Sequence, residues 1–440
     1  MMKMHETVKY LAMLMLLTGM VLLGSPSVLA DAPRGSNGAD EGVQRPTALY
    51  LTWQQDPTTT MTIQWHTEGP DEEVILEYGP VDGDTLDQVE GDSHPMVYSD
   101  RHIHTVELTG LEPDSEYRFR LYREERGQSS RFYSFRTMPA TADERPIIFA
   151  AGGDTRQRQS WMEQTNREAM KFDLDFIVWG GDYAYADGRE DRVHLWYEWF
   201  DAYKNTLVTD EGRVVPVLLA IGNHEVVGGY YWNRDDVDRD NYTPTDEYRE
   251  KLAPYFFNLF AYPGQPGYGT MDFGDYMSII LLDSDHVNLV AGKQTEWLKE
   301  QLEQRTHVPH VFPVYHFAAY PSARPTHFGV ARLIREHWHP VFDQHDNIRV
   351  AFEHHDHTYK RTVPIRHGKE DEDGIVYIGD GAWGVRLREI HDVDETWYLE
   401  RAEAIRHFIL VTIEGESQEY QMYDADGNLI DQYVPRPLAR

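Results

Sequence analysis

Five short apolar runs in this chain each stop at residues whose side chains are metal ligands by type. "PIIFAA" leads into Gly152-Gly153-Asp154, and "FIVW" into Gly180-Gly181-Asp182, with Tyr185 three residues on. "VVPVLLAI" leads into Gly222-Asn223-His224-Glu225, "VFPVY" into His316, and "IRVAF" into Glu353-His354-His355-Asp356-His357. Taken alone, such an Asp reads as a turn former and such a His as a satisfied polar residue. Taken together they read differently, because ligands of α/β sheets bind outside the carboxyl ends of the strands. That geometry would gather Asp154, Asp182, Tyr185, Asn223, His316 and at least two of the three crowded histidines in one crevice. Seven oxygen and nitrogen donors exceed what one tetrahedral zinc takes. They suit two ions of borderline to hard character sharing a bridging carboxylate. Two ions about 3.5–4 Å apart can clamp the attacking and leaving oxygens of a displacement at phosphorus.

The surrounding pattern supplies the elements that must position these residues. After "MPATADERP" the apolar runs stand beside helical patterns: "EQTNREAMKF", "DRVHLWYEWFDAYK", "KQTEWLKEQLEQ" and "ARLIREHWHPVFDQ". This alternation predicts an α/β domain. Before it, from about Thr47 to Thr137, the texture is β: "ALYLTW", "MTIQWHT", "VILEYG", "HTVELTGL", "YRFRLY" and "FYSFRT" are short, alternating and separated by turn formers. Strands at this spacing predict a sandwich, with Trp53 and Trp65 as core residues. "HFILVTIEGESQEYQMYDADGNLIDQYV" predicts terminal strands capping the catalytic sheet.

Composition narrows the classes. The 440 residues are 41% hydrophobic and 12% aromatic, enough to bury real cores. There is no Cys, which excludes disulfides, thiolate zinc sites and cysteine nucleophiles. The first 30 residues carry a basic start, an apolar run of about fifteen residues and the small-residue ending "SPSVLA". That run is shorter than the ~20 residues a spanning helix needs, so cleavage near Ala30 and a secreted or periplasmic location are expected. An uncleaved anchor helix is the competing reading. Net charge is −33, and removing Lys3, Lys9 and Glu6 leaves −34. Such a surface repels nucleic-acid duplexes.

The series "GGDTR … GGDYAYADG … GNHE … VYH … HHDHTYKR" resembles the metallophosphoesterase motifs, and "GDYAYAD" resembles the purple acid phosphatases in particular. "TMDFGDYMSIILLDSD" and "KQTEWLKEQL" are similar to that family as well. "LTGLEPDSEYRF" resembles the fibronectin type III pattern, in which Leu108, Leu111 and Pro113 lead into a corner tyrosine, Tyr117, whose hydroxyl ties back to the chain. The resemblance spans roughly residues 45–435. It implies an α/β fold, a metallophosphoesterase β-sandwich flanked by helices, preceded by an all-β fibronectin type III-like sandwich domain. The expected division is signal peptide 1–30, linker 31–44, β domain 45–139 and catalytic domain 140–435.

Carried over position by position, the resemblance implies one metal at Asp154, Tyr185, His357 and a bridging Asp182. The other would take Asp182, Asn223, His316 and His355. The tyrosine-bound ion of the family is ferric, and a phenol of pKa ~10 is readily deprotonated by a hard trivalent ion. The second would be Zn, Fe or Mn. The implied reaction is hydrolysis of a small phosphomonoester by in-line attack of a metal-bound hydroxide. His224 would face the leaving oxygen and His327 the substrate. A phosphodiesterase or nucleotidase using the same site is the alternative, with Tyr230, Tyr231 and Trp232 on a rim. A surface binding protein with a silent phosphatase fold is the third reading.

Three positions depart from the family pattern. Arg156 stands where the first motif has Gly, and its fork would match phosphate oxygens if it faced them. Pro313 replaces a Val beside an intact His316. His354 replaces the Gly before the first histidine ligand, where Gly usually marks a close approach or positive φ. Asp380 of "VYIGDGAWG" reads as structural, and His337, His339, His345 and His391 as surface or packing residues.

Overall fold

Period-two alternation decides which way each strand side chain faces. In the computed structural model, which describes residues 46–69, 74–123, 127–229, 242–327, 329–379 and 381–436, strand Met277–Leu281 turns Ile279 and Leu281 into one core and Ile280 into another. Its neighbours do the same. Phe312 and Val314 oppose Val311 and Tyr315 in His310–Phe317, and Val350 and Phe352 oppose Ala351 in Val350–His354. Burial on both faces is why these stretches read as continuous apolar runs.

These strands are the centre of a seven-stranded sheet ordered Gly269–Phe273, Met277–Leu281, His310–Phe317, Val350–His354, Val376–Gly379, Tyr359–Thr362, Leu399–Glu403. Met277–Leu281 through Val376–Gly379 run parallel. A six-stranded sheet runs Val217–Leu219, Phe176–Trp179, Ile147–Gly152, His407–Glu414, Ser417–Asp424, Leu429–Tyr433, its first three strands parallel. The expected terminal strands thus extend this sheet. The two sheets face each other across a shared core, where Phe149 meets Phe312 with ring centroids 5.8 Å apart. Helices Lys293–Gln304 and Gly329–His337 cover the outer face of the larger sheet through Leu298, Leu302 and Ile334. Helices Gln159–Ala169 and Val193–Thr206 pack together beside the smaller one. The molecule is therefore the expected α/β sandwich flanked by helices.

The stretch "ARLIREHWHPVFDQ" forms two helices, Gly329–His337 and His339–Phe342. Pro340 has no N–H to continue the first, but its fixed φ suits the first turn of the second.

The β portion has two sheets. One orders Ala48–Thr52, Met61–Glu68, Arg101–Leu108, Asp92–Pro95; the other is built on Ile75–Pro80 and Glu116–Arg123. Trp53 and Trp65 are fully buried, and the Tyr117 hydroxyl accepts from the Glu112 N–H at 2.9 Å, the expected corner. Tyr50 stacks on Phe200 of Val193–Thr206 and donates to Leu259 O, so the β portion braces the α/β one.

No helix among the described residues is long and apolar enough to cross a membrane. The expected leader and linker, Tyr230, Tyr231, Trp232 and Asp380 lie outside the described residues.

Candidate metal centre

Each of the five runs delivers its ligand types at or just past a strand's carboxyl end. Asp154 follows Ile147–Gly152, Asp182 and Tyr185 follow Phe176–Trp179, and Asn223 opens a single 3₁₀ turn after Val217–Leu219. His316 ends on His310–Phe317, and His355 and His357 follow Val350–His354. The turns carrying them are bent in a way side chains rarely accept. Asp154, Asp182, Tyr185, His355 and His357 all have positive φ, between 55° and 81°. Non-glycine residues seldom sit there, and each costs about 1–3 kcal/mol.

The surroundings fix these turns. Asp154 N donates to Gly181 O and Thr155 N to Asp182 O, each at 2.9 Å, zipping the first two turns together. The Glu225 carboxylate, fully buried, accepts from Asp182 N, Tyr183 N and Gly222 N at 2.8–2.9 Å. It ties the second turn to the third. Gly381, at φ +61°, lets the chain approach Asp154: a Cβ there would lie 1.7 Å from Asp154 Oδ2.

Two buried donor groups result, Asp154 with Asp182 and His357, and Asp182 with His316 and His355. In the first, His357 Nε2 lies 2.9 Å from Asp154 Oδ1, and the Tyr185 hydroxyl lies 3.0 Å from that oxygen and 3.2 Å from His357 Nε2. In the second, His316 Nε2 lies 3.0 Å from His355 Nδ1, 3.1 Å from Asn223 Oδ1 and 3.2 Å from Asp182 Oδ2. All seven sequence-predicted ligands are thus brought together around Asp182. His354 is the odd histidine. It points into the core, and its ring fills a slot between Gly153 and Gly180, where a Cβ on Gly180 would overlap it.

The donor set fits cations. His316 Nδ1 faces Gly180 O at 2.9 Å, and a carbonyl only accepts, so Nδ1 carries a proton. In the neutral ring Nε2 is then a bare lone pair aimed at a carboxylate, an amide oxygen and another imidazole. His357 repeats the pattern, with Nδ1 at 3.0 Å from Arg386 O and Nε2 toward Asp154. Among the described residues His355 Nε2 is buried without a hydrogen-bond partner, and Asp182 Oδ2 is buried with His316 Nε2 3.2 Å away. Such convergence is costly unless something positive sits within it. Without an ion that role falls to a proton: burial alone would lower the His316 pKa, but Asp182 and Asp154 hold it at about 9. Tyr185 is pushed well above 10 by burial and then by Asp154 and Asp182, so its phenolate form requires a neighbouring cation.

His224 stands beside the cluster. Its Nδ1 pairs with Asp187, which Arg192 holds from the other side, and its Nε2 lies 3.9 Å from Asp182 Oδ2. Burial lowers its pKa, yet Asp182 and Asp187 raise it above the ordinary value on balance. Arg156 is buried with its fork engaged, Nη1 donating to Ala184 O at 3.2 Å and Nη2 pairing with Glu198. His327 is exposed on the loop after His316.

Sequence reasoning assigned no role to several residues that shape the site. Asp187 and Glu225 lay within the quoted motifs "GDYAYAD" and "GNHE", so position was their signal. Glu353 and Lys360 also stand in quoted stretches, but nothing in the sequence pairs them. They form a fully buried ion pair that also takes the Tyr315 hydroxyl, Ala319 N and Tyr320 O, binding the His355 strand to the loop after His316.

Comparison with known proteins agrees with this geometry. Residues 96–380 match the calcineurin-like phosphoesterase family, and residues 46–137 match the purple acid phosphatase N-terminal domain. Purple acid phosphatase 21 of Arabidopsis thaliana is 27% identical over 328 residues, covering 73% of this chain and 68% of that protein. Probable purple acid phosphatase 20 of the same plant is 24% identical, covering 78% of each. The structure of purple acid phosphatase PPD1 from yellow lupin (Lupinus luteus) seeds superposes with a TM-score of 0.69 at 18% identity, over 88% of this chain and 73% of that one. A structure of PhoD does so with a TM-score of 0.64 at 13% identity, over 93% and 94%. The family match spans more than half the chain and takes in every proposed ligand, so this protein belongs to the calcineurin-like phosphoesterases, as a purple acid phosphatase-like, metal-dependent phosphoric ester hydrolase.

Proposed function

We propose that this protein is an exported phosphatase that hydrolyses small phosphomonoesters at a two-metal centre. The observation that carries the proposal is the burial of His355 Nδ1, Asn223 Oδ1 and Asp182 Oδ2 within 3.2 Å of His316 Nε2, whose ring proton lies on Nδ1 against Gly180 O. We assign Fe(III) to Asp154, Asp182, Tyr185 and His357, and Zn, Fe or Mn to Asp182, Asn223, His316 and His355. Export rests on the leader pattern of residues 1–30, and the chain is read as a β domain 45–139 followed by a catalytic domain 140–435.

Bound there, the ions would supply Lewis-acid charge to the phosphate and acidify a water. The chain does the rest. Asp187 accepts from His224 Nδ1, which fixes the ring so that Nε2 faces the centre. Protonated, Nε2 donates to the leaving oxygen; neutral, it accepts and orients water. Arg156, occupied by Ala184 O and Glu198, is assigned to holding the backbone beside Tyr185 rather than to touching phosphate. His327, exposed on its loop, is assigned to the substrate side.

The test is direct. The purified mature chain should hold two metals, show a visible band lost in Tyr185→Phe, and turn over p-nitrophenyl phosphate faster than bis(p-nitrophenyl) phosphate. A metal-free protein inert to both esters would overturn the reading. A colourless but active protein would remove only the ferric assignment.

A further inference from the structure

His355 presents its ligand nitrogen from a backbone conformation that a histidine seldom adopts, with φ at +81°. It reaches the cluster through Nδ1, the ring nitrogen nearer the main chain, 3.0 Å from His316 Nε2. Only Cβ and Cγ separate that nitrogen from the backbone, so a change in the backbone carries Nδ1 with it. Among the described residues two side chains hold this peptide. His355 N donates to Asp154 Oδ2 at 3.0 Å, and His355 O accepts from Arg324 Nη1 at 2.7 Å. Asp154 is itself an assigned ligand, so Arg324 is the hold that comes from outside the donor set.

Asp356 aims the guanidinium. Arg324 Nη1 lies 3.1 Å from Asp356 Oδ1, while Oδ2 accepts from Ala323 N and Arg324 N at 2.7 and 3.2 Å. One carboxylate thus fixes both the backbone and the fork of the arginine. The loop after His316 is also fastened to the His355 turn elsewhere: Ala319 N donates to Glu353, and Ser322 Oγ meets Thr358 Oγ1 at 2.5 Å. Those rungs are buried, as is Asp356, whereas the Arg324 side chain keeps 18% of its surface exposed. Removing the fork leaves the rungs in place and takes away the bond to the His355 carbonyl. A charged donor fixed on the carbonyl of a strained residue favours the conformation that bears the strain.

We propose that Arg324 is a positioning residue for the ion assigned to Asp182, Asn223, His316 and His355: by holding the His355 carbonyl it keeps Nδ1 turned into the cluster. It leaves the neighbouring ion alone, whose histidine, His357, is held at Nδ1 by Arg386 O instead. Partners that orient a metal ligand without touching the metal are worth about 10–100-fold in affinity. The inference deepens the two-metal reading above and rests on it.

The experiment titrates metal into Arg324→Met, which keeps the apolar stem and loses the fork. Bound metal in the purified variant should fall from two toward one per chain, while the visible band of the Tyr185 site remains. The dissociation constant for Zn²⁺ at the second site should rise about 10–100-fold. Excess Zn²⁺ should restore kcat on p-nitrophenyl phosphate with KM unchanged. Arg324→Lys, which can still donate to the carbonyl, should recover part of the affinity. The melting temperature of the metal-free protein should move by less than about 2 °C, since the buried rungs remain. Loss of both ions, or a large fall in the metal-free melting temperature, would show that Arg324 serves the fold alone. Wild-type metal affinity with a raised KM would make it a substrate contact. Either result overturns the assignment, as does wild-type behaviour in every measurement. A wild-type chain that binds no metal sinks the two-metal reading and this inference with it. Wild-type binding of two ions without the selective loss in the variant sinks this inference alone.

Discussion

His316 Nε2 and His355 Nδ1 stand 3.0 Å apart, with Asn223 Oδ1 and Asp182 Oδ2 closing the same small volume. A carboxylate oxygen, an amide oxygen and two imidazole nitrogens gathered this closely in a buried site form a donor set suited to a cation. His355 is buried and pushed well below the ordinary histidine range, by burial first and then by Arg324, so it offers a neutral nitrogen.

Replacing His355 by Ala should therefore lower bound metal from two toward one per chain, read by elemental analysis. Activity should fall by more than about 100-fold, beyond the 10–100-fold usual for partners one shell out. Chelation of the wild-type protein should lower its melting temperature, because ions bound only by the folded state stabilise it. Full metal content in His355→Ala would contradict the assigned ligand set.

Asp187 acts on His224 without touching the metal cluster. Asp187→Asn should keep two metals and the visible band while reducing kcat by roughly 10–100-fold, since the ring loses the acceptor that fixes its orientation. His224→Ala should lose about 100-fold or more, and the double variant little beyond that. Additive losses in the double variant would show that Asp187 works independently of His224.

His354 is fully buried, with neither ring nitrogen bonded to any described residue, and burial holds it well below its ordinary pKa. An unsatisfied buried polar group costs about 1–3 kcal/mol. His354→Leu should then fold with equal or higher stability in urea titrations, whereas His354→Gly should lose roughly 2–4 kcal/mol by opening a cavity beside Gly153 and Gly180. A large loss in His354→Leu would reveal a polar partner for this ring.

Acid stability depends on His310, at the opposite end of the His316 strand. Its Nε2 faces Gly415 O at 2.8 Å, while Nδ1 accepts from Gln418 and Arg349 at 2.9 and 3.1 Å, so the folded ring is neutral. Burial and then Arg349, against the Gly415 carbonyl, lower its pKa to about 4. The unfolded chain takes up this proton near the ordinary 6.5, so stability is complete above that pH, falls as pH drops toward 4, and falls no further below it. The slope is at most about 1.4 kcal/mol per pH unit. His310→Gln should be less stable throughout but lack this part of the slope, measured by urea unfolding from pH 7 to 4.

The sequence alone determined which residues are ligand types and where they lie on strands. Asp182 with Tyr185 three on, Asn223 with His224 next, and His355 with His357 two on are local patterns, and a strand followed by a tight turn presents them in one way. It also determined the double-sided burial of the central strands and the Tyr117 corner, which depend on alternation and near neighbours. Tertiary structure decided the rest, because the deciding partners are far apart in the chain. Only folding shows that Arg156 spends its fork on Ala184 O and Glu198, or that Asp187 rather than another acid grips His224. Only folding places Glu353 against Lys360 with neither exposed. His354 is the sharpest case: sequence marks it as the odd one of three histidines, standing where the family has Gly, and only the slot between Gly153 and Gly180, set by packing two turns from distant strands, shows where its ring goes.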